Sequence, residues 1–463
     1  MEGETVMGLL VLSDGCTVPA ELDVDLGLST STGPAGLWDD ALWDDGIWGP
    51  DIVWEPVGSR VRSVSTDGSF SRGWGVWGAG KITVVFDNTD GALSPDNLDP
   101  AAPYVVAGMT TIRAGIPIRA RLTYAGVSYD LFFGYITSWG EEWAVHSPRQ
   151  GDALVTVEGI DAWGRLAKAK GYAVSPSVGT GDTYGQRIDR ILKTAGFTGS
   201  LDTDVGYVTF QATDLSDDRV TELNDTAEAE GGLIWADPSG TIIARDRYSL
   251  VENLRSVEVQ AEFGDGNTTS PVCWLNEPWV PTDGTSETPW AVASVAPITD
   301  DMIINHAIYT RVGGTPQDVN DPNSIALYGD RTDTIDDLMC ETDAQVLALA
   351  TWRVLVGTIP EARVDRLTFY PQCDLTNLLP LLLSLKIGDL VSIKLRPPTN
   401  YASHVMLRYC HISGRTIEIQ GNAITISFDF ESATAYRTYS LSRWDVGLWG
   451  IDQTDINGAR WFV

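Results

Sequence analysis

Lysine is scarce in this sequence. Six lysines stand against 25 arginines in 463 residues, and 63 acidic residues leave a formal net charge of -32. Binding of free DNA or RNA by counterion release needs a basic surface, which this composition lacks on average. The acidity reads either as plain solubility or as a surface that repels DNA. Cysteine is also sparse. Cys16, Cys273, Cys340, Cys373 and Cys410 are odd in number, widely spaced and contain no CxxC. Neither a disulfide framework nor a zinc site is expected, and folding in a reducing cytoplasm fits. The four histidines, His146, His306, His404 and His411, are scattered, with no HExxH. No GxSxG occurs either. With 63 carboxylates, acid pairs for glycoside hydrolysis can be nominated anywhere and so carry no information. Long apolar runs are missing. The nearest, residues 378–385, is interrupted by Pro380 and Ser384, so no membrane span is expected. Glu2 and Glu4 stand where a signal peptide would be basic, so no export signal is expected.

What the sequence has is strand and turn grammar. Ile82, Val84 and Phe86 alternate along residues 81–86, which predicts a strand with one buried face. Asp87-Asn-Thr-Asp-Gly91 turns the chain, because Gly supplies φ > 0 and Asx side chains bond their own backbone. Further strands are expected over residues 116–124, 128–139 and 155–160, with a short helical exit after Asp161. Thr183 and Gln186 form a capping box for a helix that ends at Gly196. A second helix is expected over residues 218–230, stopped by Gly231. Asp237-Pro-Ser-Gly240 predicts a hairpin between residues 233–236 and 241–245. A third helix runs from Thr342 to about Val356, with Ala344, Leu347, Ala348 and Leu355 inward. Residues 385–395, LKIGDLVSIKL, lie in register with residues 112–122, IRAGIPIRARL, so that Gly388 matches Gly115. RYCHISG at 408–414 then corresponds to FFGYITS at 132–138. This reads either as two related barrels or as the general likeness of any two strands. Residues 416–419 and 424–430 make a last hairpin.

Near-misses to chemical motifs resolve as turns. Residues 73–78 spell GxGxxG, yet a strand follows where pyrophosphate binding needs a helix. Residues 75–81 approach a P-loop, but Ile82 stands where Mg²⁺ needs a hydroxyl. Asp87, Asn88 and Asp90 resemble the opening of a calcium loop without its twelfth-position Glu. No catalytic residue, cofactor or metal site is expected. A Trp-Asp repeat carries Trp38, Trp43 and Trp48, followed by Trp54, and an echo near the far end carries Trp444 and Trp449, followed by Trp461. Trp buries much area with few rotors, so these seven are candidate docking residues. Self-packing and glycan stacking are the other readings.

A strand ending in DNTDGALSPDN, then an I-R-x-G-x-P-I-R strand and a G-Y-I strand, resembles the hub (minor tail) proteins at the tail tip of long-tailed bacteriophages. The likeness covers most of residues 60–430. It implies a mainly β fold: two β-barrels interleaved with an α+β domain and flanked by Trp/Asp-rich arms. The expected division is an arm at 1–57, a first barrel at 58–166 and an α+β domain at 167–250 with 325–372. A second barrel takes 251–324 and 373–432, and a Trp-rich arm 433–463. The resemblance implies a homotrimer that adapts a six-fold tail tube to a three-fold tip. It would close the DNA channel and support host attachment and genome ejection. Implied partners are the distal tail protein ring, the tape measure protein and other minor tail proteins. DNA would pass through the lumen without specific binding, and no membrane insertion is expected. The location would be the virion tail tip, after assembly in the host cytoplasm. The arginine-for-lysine skew fits a GC-rich actinobacteriophage siphovirus. No appended cell-wall hydrolase is expected, and the alternative role is a peripheral receptor- or glycan-binding tail protein.

Overall fold

The computed structural model describes residues 9–11, 17–27, 54–71, 74–99, 102–106, 109–143, 153–169, 174–264, 288–289, 292–295, 303–358, 364–373, 375–395, 406–421 and 423–437. Its dominant feature is one 15-stranded sheet. A set of six among them lies in the first part of the chain: β1 (Thr17–Gly27), β2 (Val61–Ser69), β3 (Lys81–Asp87), β4 (Pro117–Tyr124), β5 (Val127–Trp143) and β6 (Ala153–Ile160). A second set of six lies in the later part: β7 (Val259–Gly264), β8 (Val292–Val295), β9 (Val364–Phe369), β10 (Leu390–Leu395), β11 (Met406–Gln420) and β12 (Ala423–Ser432). Alternation sets the buried faces, as expected of a half-buried strand. Ile82, Val84 and Phe86 on β3 point inward, as do Ile118, Ala120, Leu122 and Tyr124 on β4. One apolar cluster runs through both sets of strands.

The two sets repeat each other strand for strand. The first pairs in the order β2-β3-β6-β5-β4-β1 and the second in the order β8-β9-β12-β11-β10-β7. The first five strands of each set are antiparallel throughout. The sixth differs, since β1 is antiparallel to β4 but β7 is parallel to β10. Detail follows the same repeat. Gly115 and Gly388 sit at φ 87° and 86°, a region that favours glycine. Gly115 N–H donates to Ile136 O at 2.7 Å, and Gly388 N–H to Ile412 O at 2.8 Å. A bulge follows each isoleucine: Thr137 on β5 and Ser413 on β11 are passed over in the ladders to β6 and β12. Of the two sequence readings, the structure therefore carries the duplication. It also corrects two spans. β5 continues past residue 139 to Trp143, and the segments at 408–414 and 416–419 are one bulged strand, β11.

The expectation of two closed barrels is corrected. Among the described residues, neither set closes on itself. β2 gives its outer edge to β11, with Ser63–Ser69 facing Gly414–Gln420. The reason lies in strand lengths. β11 has 15 residues and β10 only six, so the end of β11 overhangs its neighbour with an unpaired backbone edge. β2 satisfies that edge and joins the two repeats into a single sheet.

The helical body packs beside the sheet around a second apolar cluster. Its helices include α1 (Ala162–Leu166), α2 (Tyr184–Thr194), α3 (Arg219–Glu230) and α4 (Asp343–Gly357). The Thr183–Gln186 capping box opens α2, and Gly231 closes α3 at φ 69°. α4 turns a different face inward from the one expected. Val346, Leu349, Ala350 and Val354 are buried, while Leu347 is 44% exposed. This helix is apolar nearly all round, so periodicity does not fix its inner face. α5 (Leu378–Ser384) buries Leu378, Leu379, Leu382 and Leu383 within the first cluster. His306–Arg311 sits in a separate three-stranded sheet against α4.

The joint between the repeats has no room for a side chain at Gly414. A Cβ there would lie 2.4 Å from the Ser69 Cβ and 2.8 Å from Asp429 Oδ2. Gly414→Ala is expected to destabilise the protein by about 1–3 kcal/mol through overpacking. Chemical denaturation of the variant beside the parent checks this.

Candidate functional site

Among the described residues no group of three or more His, Cys, Asp or Glu could hold a metal ion, and the candidate site is the edge system of the large sheet. At the β2–β11 joint, Ile417 and Ile419 face Thr66 and Val64 across the ladder, and all four are buried. The outer face is polar. Thr416 Oγ1 donates to Asp67 Oδ1 at 3.0 Å. Arg366 grips Asp429 with two bonds of 2.7 and 3.1 Å and reaches Thr416 Oγ1 at 3.3 Å. Arg415 donates to the Asp130 carbonyl at 3.3 Å, tying β11 to β5. Burial pushes the Arg415 pKa down to about 10.

The equivalent edge in the first repeat lacks a described partner. β5 pairs with β4 over Val127–Tyr135 and with β6 over Tyr135–Trp143. Beyond β4, the outer edge of residues 138–143 meets no strand among the described residues. Trp143 at its tip is 64% exposed. Sequence reading missed this segment because Gly140-Glu-Glu-Trp143 breaks the apolar alternation.

Of the seven candidate tryptophans, Trp54 lies within the described residues. It belongs to a three-residue strand, Trp54–Pro56, on the edge of β1. The Arg119 guanidinium lies 4.2 Å from its ring centroid, and Phe133 meets it edge-on at 6.1 Å. That is packing on its own sheet. Trp38, Trp43, Trp48, Trp444, Trp449 and Trp461 lie outside the described residues.

The motif near-misses have structural partners. Asp90 takes two bonds from Arg60, which pull its pKa down to about 2, and Asp87 pairs with Arg62. Asn88 accepts from Leu93 N–H at 2.8 Å, closing the turn. In the glycine-rich run, Trp77 Nε1 donates to Asp161 Oδ2 at 3.3 Å, and Phe70 meets Trp77, Trp74 and Trp235 edge-on at 5.1, 5.3 and 5.9 Å. β3 follows directly, with no helix N-terminus to receive phosphate. Asp161 also caps α1 and accepts from Gly80 N–H. Burial raises its pKa to about 6, against the pull of those donors.

A cleft of about 750 Å³ separates the sheet from the helical body. Several of its charged groups hold the chain together. Asp237 accepts from the Ser239 and Thr241 amides of its own turn. Arg255 grips Asp389, and Arg245 grips Asp202.

With the geometry in view, solved structures give a direct comparison. A tail protein from Neisseria meningitidis MC58 matches with a TM-score of 0.52 at 11% identity, over 89% of this chain and 97% of that one. The 43 kDa tail protein of prophage MuSo2 from Shewanella oneidensis matches with a TM-score of 0.53 at 14% identity, over 90% and 99%. This chain shares their fold. No family model and no curated protein matches its sequence.

His411 lies on β11 beside the joint, fully buried, with Trp74 and Tyr436 around its ring. Its Nε2 lies 2.9 Å from Ser256 O, which fits an Nε2–H donor. Burial lowers its pKa from 6.5 to about 4. The unfolded chain therefore takes up the proton first as pH falls. The contribution is present above pH 6.5 and lost toward about pH 4, on the order of 3 kcal/mol. Asp161 works with the opposite sign over an overlapping range, so the test is a difference. Subtracting the stability of His411→Gln from that of the parent should leave a value that falls between pH 7 and 4; unfolding titrations at each pH measure it.

Proposed function

We propose that this chain is a structural protein of a bacteriophage tail, a trimeric hub at the tail tip with no catalytic role. The observation that carries the reading is the duplicated six-strand unit joined by backbone pairing within one chain. Three copies of a two-unit chain offer six similar positions, which suits a six-fold tube above a three-fold tip. The shared fold with two tail proteins supports the same assignment. Distal tail and tape measure proteins are its neighbours in this reading. The arms bearing Trp38, Trp43, Trp48, Trp444, Trp449 and Trp461 dock to them. The hub keeps the DNA channel closed until host attachment, then lets the genome pass. A net charge of -32 keeps a passing phosphate backbone from adhering.

Two measurements test this. Sedimentation equilibrium of the purified chain should return three times its own mass; a monomer would count against the trimer. Removing residues 37–53, which keeps Trp54 on its sheet, should preserve the trimer and abolish incorporation into tail tips. Normal tails, seen by electron microscopy of particles carrying the deletion, would remove the docking role of the first arm.

A further inference from the structure

The internal joint predicts the contact between copies. In the chain, the overhang of β11 pairs with β2. The repeat equates β11 with β5 and β2 with β8. β5 has the same kind of overhang past β4, and β8 pairs with β9 alone among the described residues. We propose that residues 138–143 of β5 form an antiparallel ladder with Val292–Val295 of β8 in a second copy, head to tail. The number of copies rests on the trimeric reading above; the pairing itself rests on the repeat.

The repeat also fixes the register. Ser138 faces Glu158 on β6 as Gly414 faces Asp429 on β12, so Ser138 and Gly414 are equivalent. Counting along both strands makes Glu141, Glu142 and Trp143 the counterparts of Ile417, Glu418 and Ile419. On the other side, Val64 faces Val84 on β3 as Ala293 faces Leu367 on β9. Val84 faces Val157 on β6, and Leu367 faces Phe428 on β12, which are again equivalent positions. Ala293 and Ser294 thus stand for Val64 and Ser65. Within the chain, Ile419 faces Val64 and Glu418 faces Ser65. Between copies, Trp143 will face Ala293 and Glu142 will face Ser294.

Exposure supports this pairing. Ile419 and Val64 are 2% and 1% exposed, whereas Trp143, in the place of Ile419, is 64% exposed. A large indole on an open strand edge is a liability that natural sheets cover. The chain already contains a complementary edge of the right kind, so a second copy is the occupant. Such a contact joins unlike surfaces and propagates around a ring.

Paired antiparallel residues have Cα atoms within reach of a disulfide. The test is Trp143→Cys with Ala293→Cys in the full chain, under mild oxidation. Multi-chain species on a non-reducing gel are expected from the double variant. The parent and each single variant should give none, which controls for the native cysteines. Glu142→Cys with Ala293→Cys places the thiols on opposite faces and should give far less. A disulfide confined to one chain, no cross-link at all, or equal yield from the Glu142 pair would overturn the proposal. Sedimentation of the same samples separates the failures. A trimer without the cross-link removes this pairing and leaves the trimeric hub; a monomer removes both.

Discussion

The backbone ladder between β2 and β11 is the constraint from which the rest of the architecture follows. Each repeat alone presents an open sheet edge, and an open edge must be paired, covered or charged. Here the overhang of one repeat takes the leading strand of the other. The apolar faces then become continuous, and a single cluster runs from Phe86 and Val84 to Ile417 and Phe428. Backbone pairing fixes spacing and direction more tightly than side-chain contact does, so the two repeats cannot rotate freely about each other.

A device made of main-chain bonds also explains how the fold tolerates sequence change. The two repeats share few identities, yet Gly115 and Gly388 hold the same left-handed turn and the same bond to an isoleucine carbonyl. The next position shows what is free to vary. Ile116 in the first repeat is replaced by Asp389 in the second, which is buried and gripped by Arg255 from the helical side. The second repeat is thereby tied to the helical body, while the backbone pattern stays intact. The same tolerance accounts for a shared fold with tail proteins at 11% and 14% identity.

Local grammar was legible in the sequence because its causes are local. The Thr183–Gln186 cap, the glycine stop of α3 and the alternation of β3 each depend on neighbours within a few residues. Long-range pairing was not legible. β2 reads Val-Arg-Ser-Val-Ser-Thr-Asp-Gly-Ser, and its small polar residues gave no apolar period to announce a strand joined on both edges. The end of β5 was hidden in the same way. Nothing local distinguishes a barrel that closes from a sheet that continues, since the choice rests on which edges meet. The described candidate tryptophan shows the same limit: Trp54 packs on its own sheet through Arg119, a partner far away in sequence.

Charge placement gives the composition its structural meaning. Arginines are bound into cross-strand and cross-element pairs: Arg119 and Arg121 with Asp25, Arg366 with Asp429, Arg60 with Asp90, and Arg245 with Asp202. Guanidinium suits this work, because its planar fork grips a carboxylate in two places where an ammonium offers a point charge. Such pairs contribute only about 0–1 kcal/mol each when exposed, so their value lies in fixing which residues stand opposite. Arg119 and Arg366 each face their aspartate on the adjacent strand in the ladder itself. The cations serve as register marks inside the sheet, and the acidic excess is left to set the field at the protein's surface.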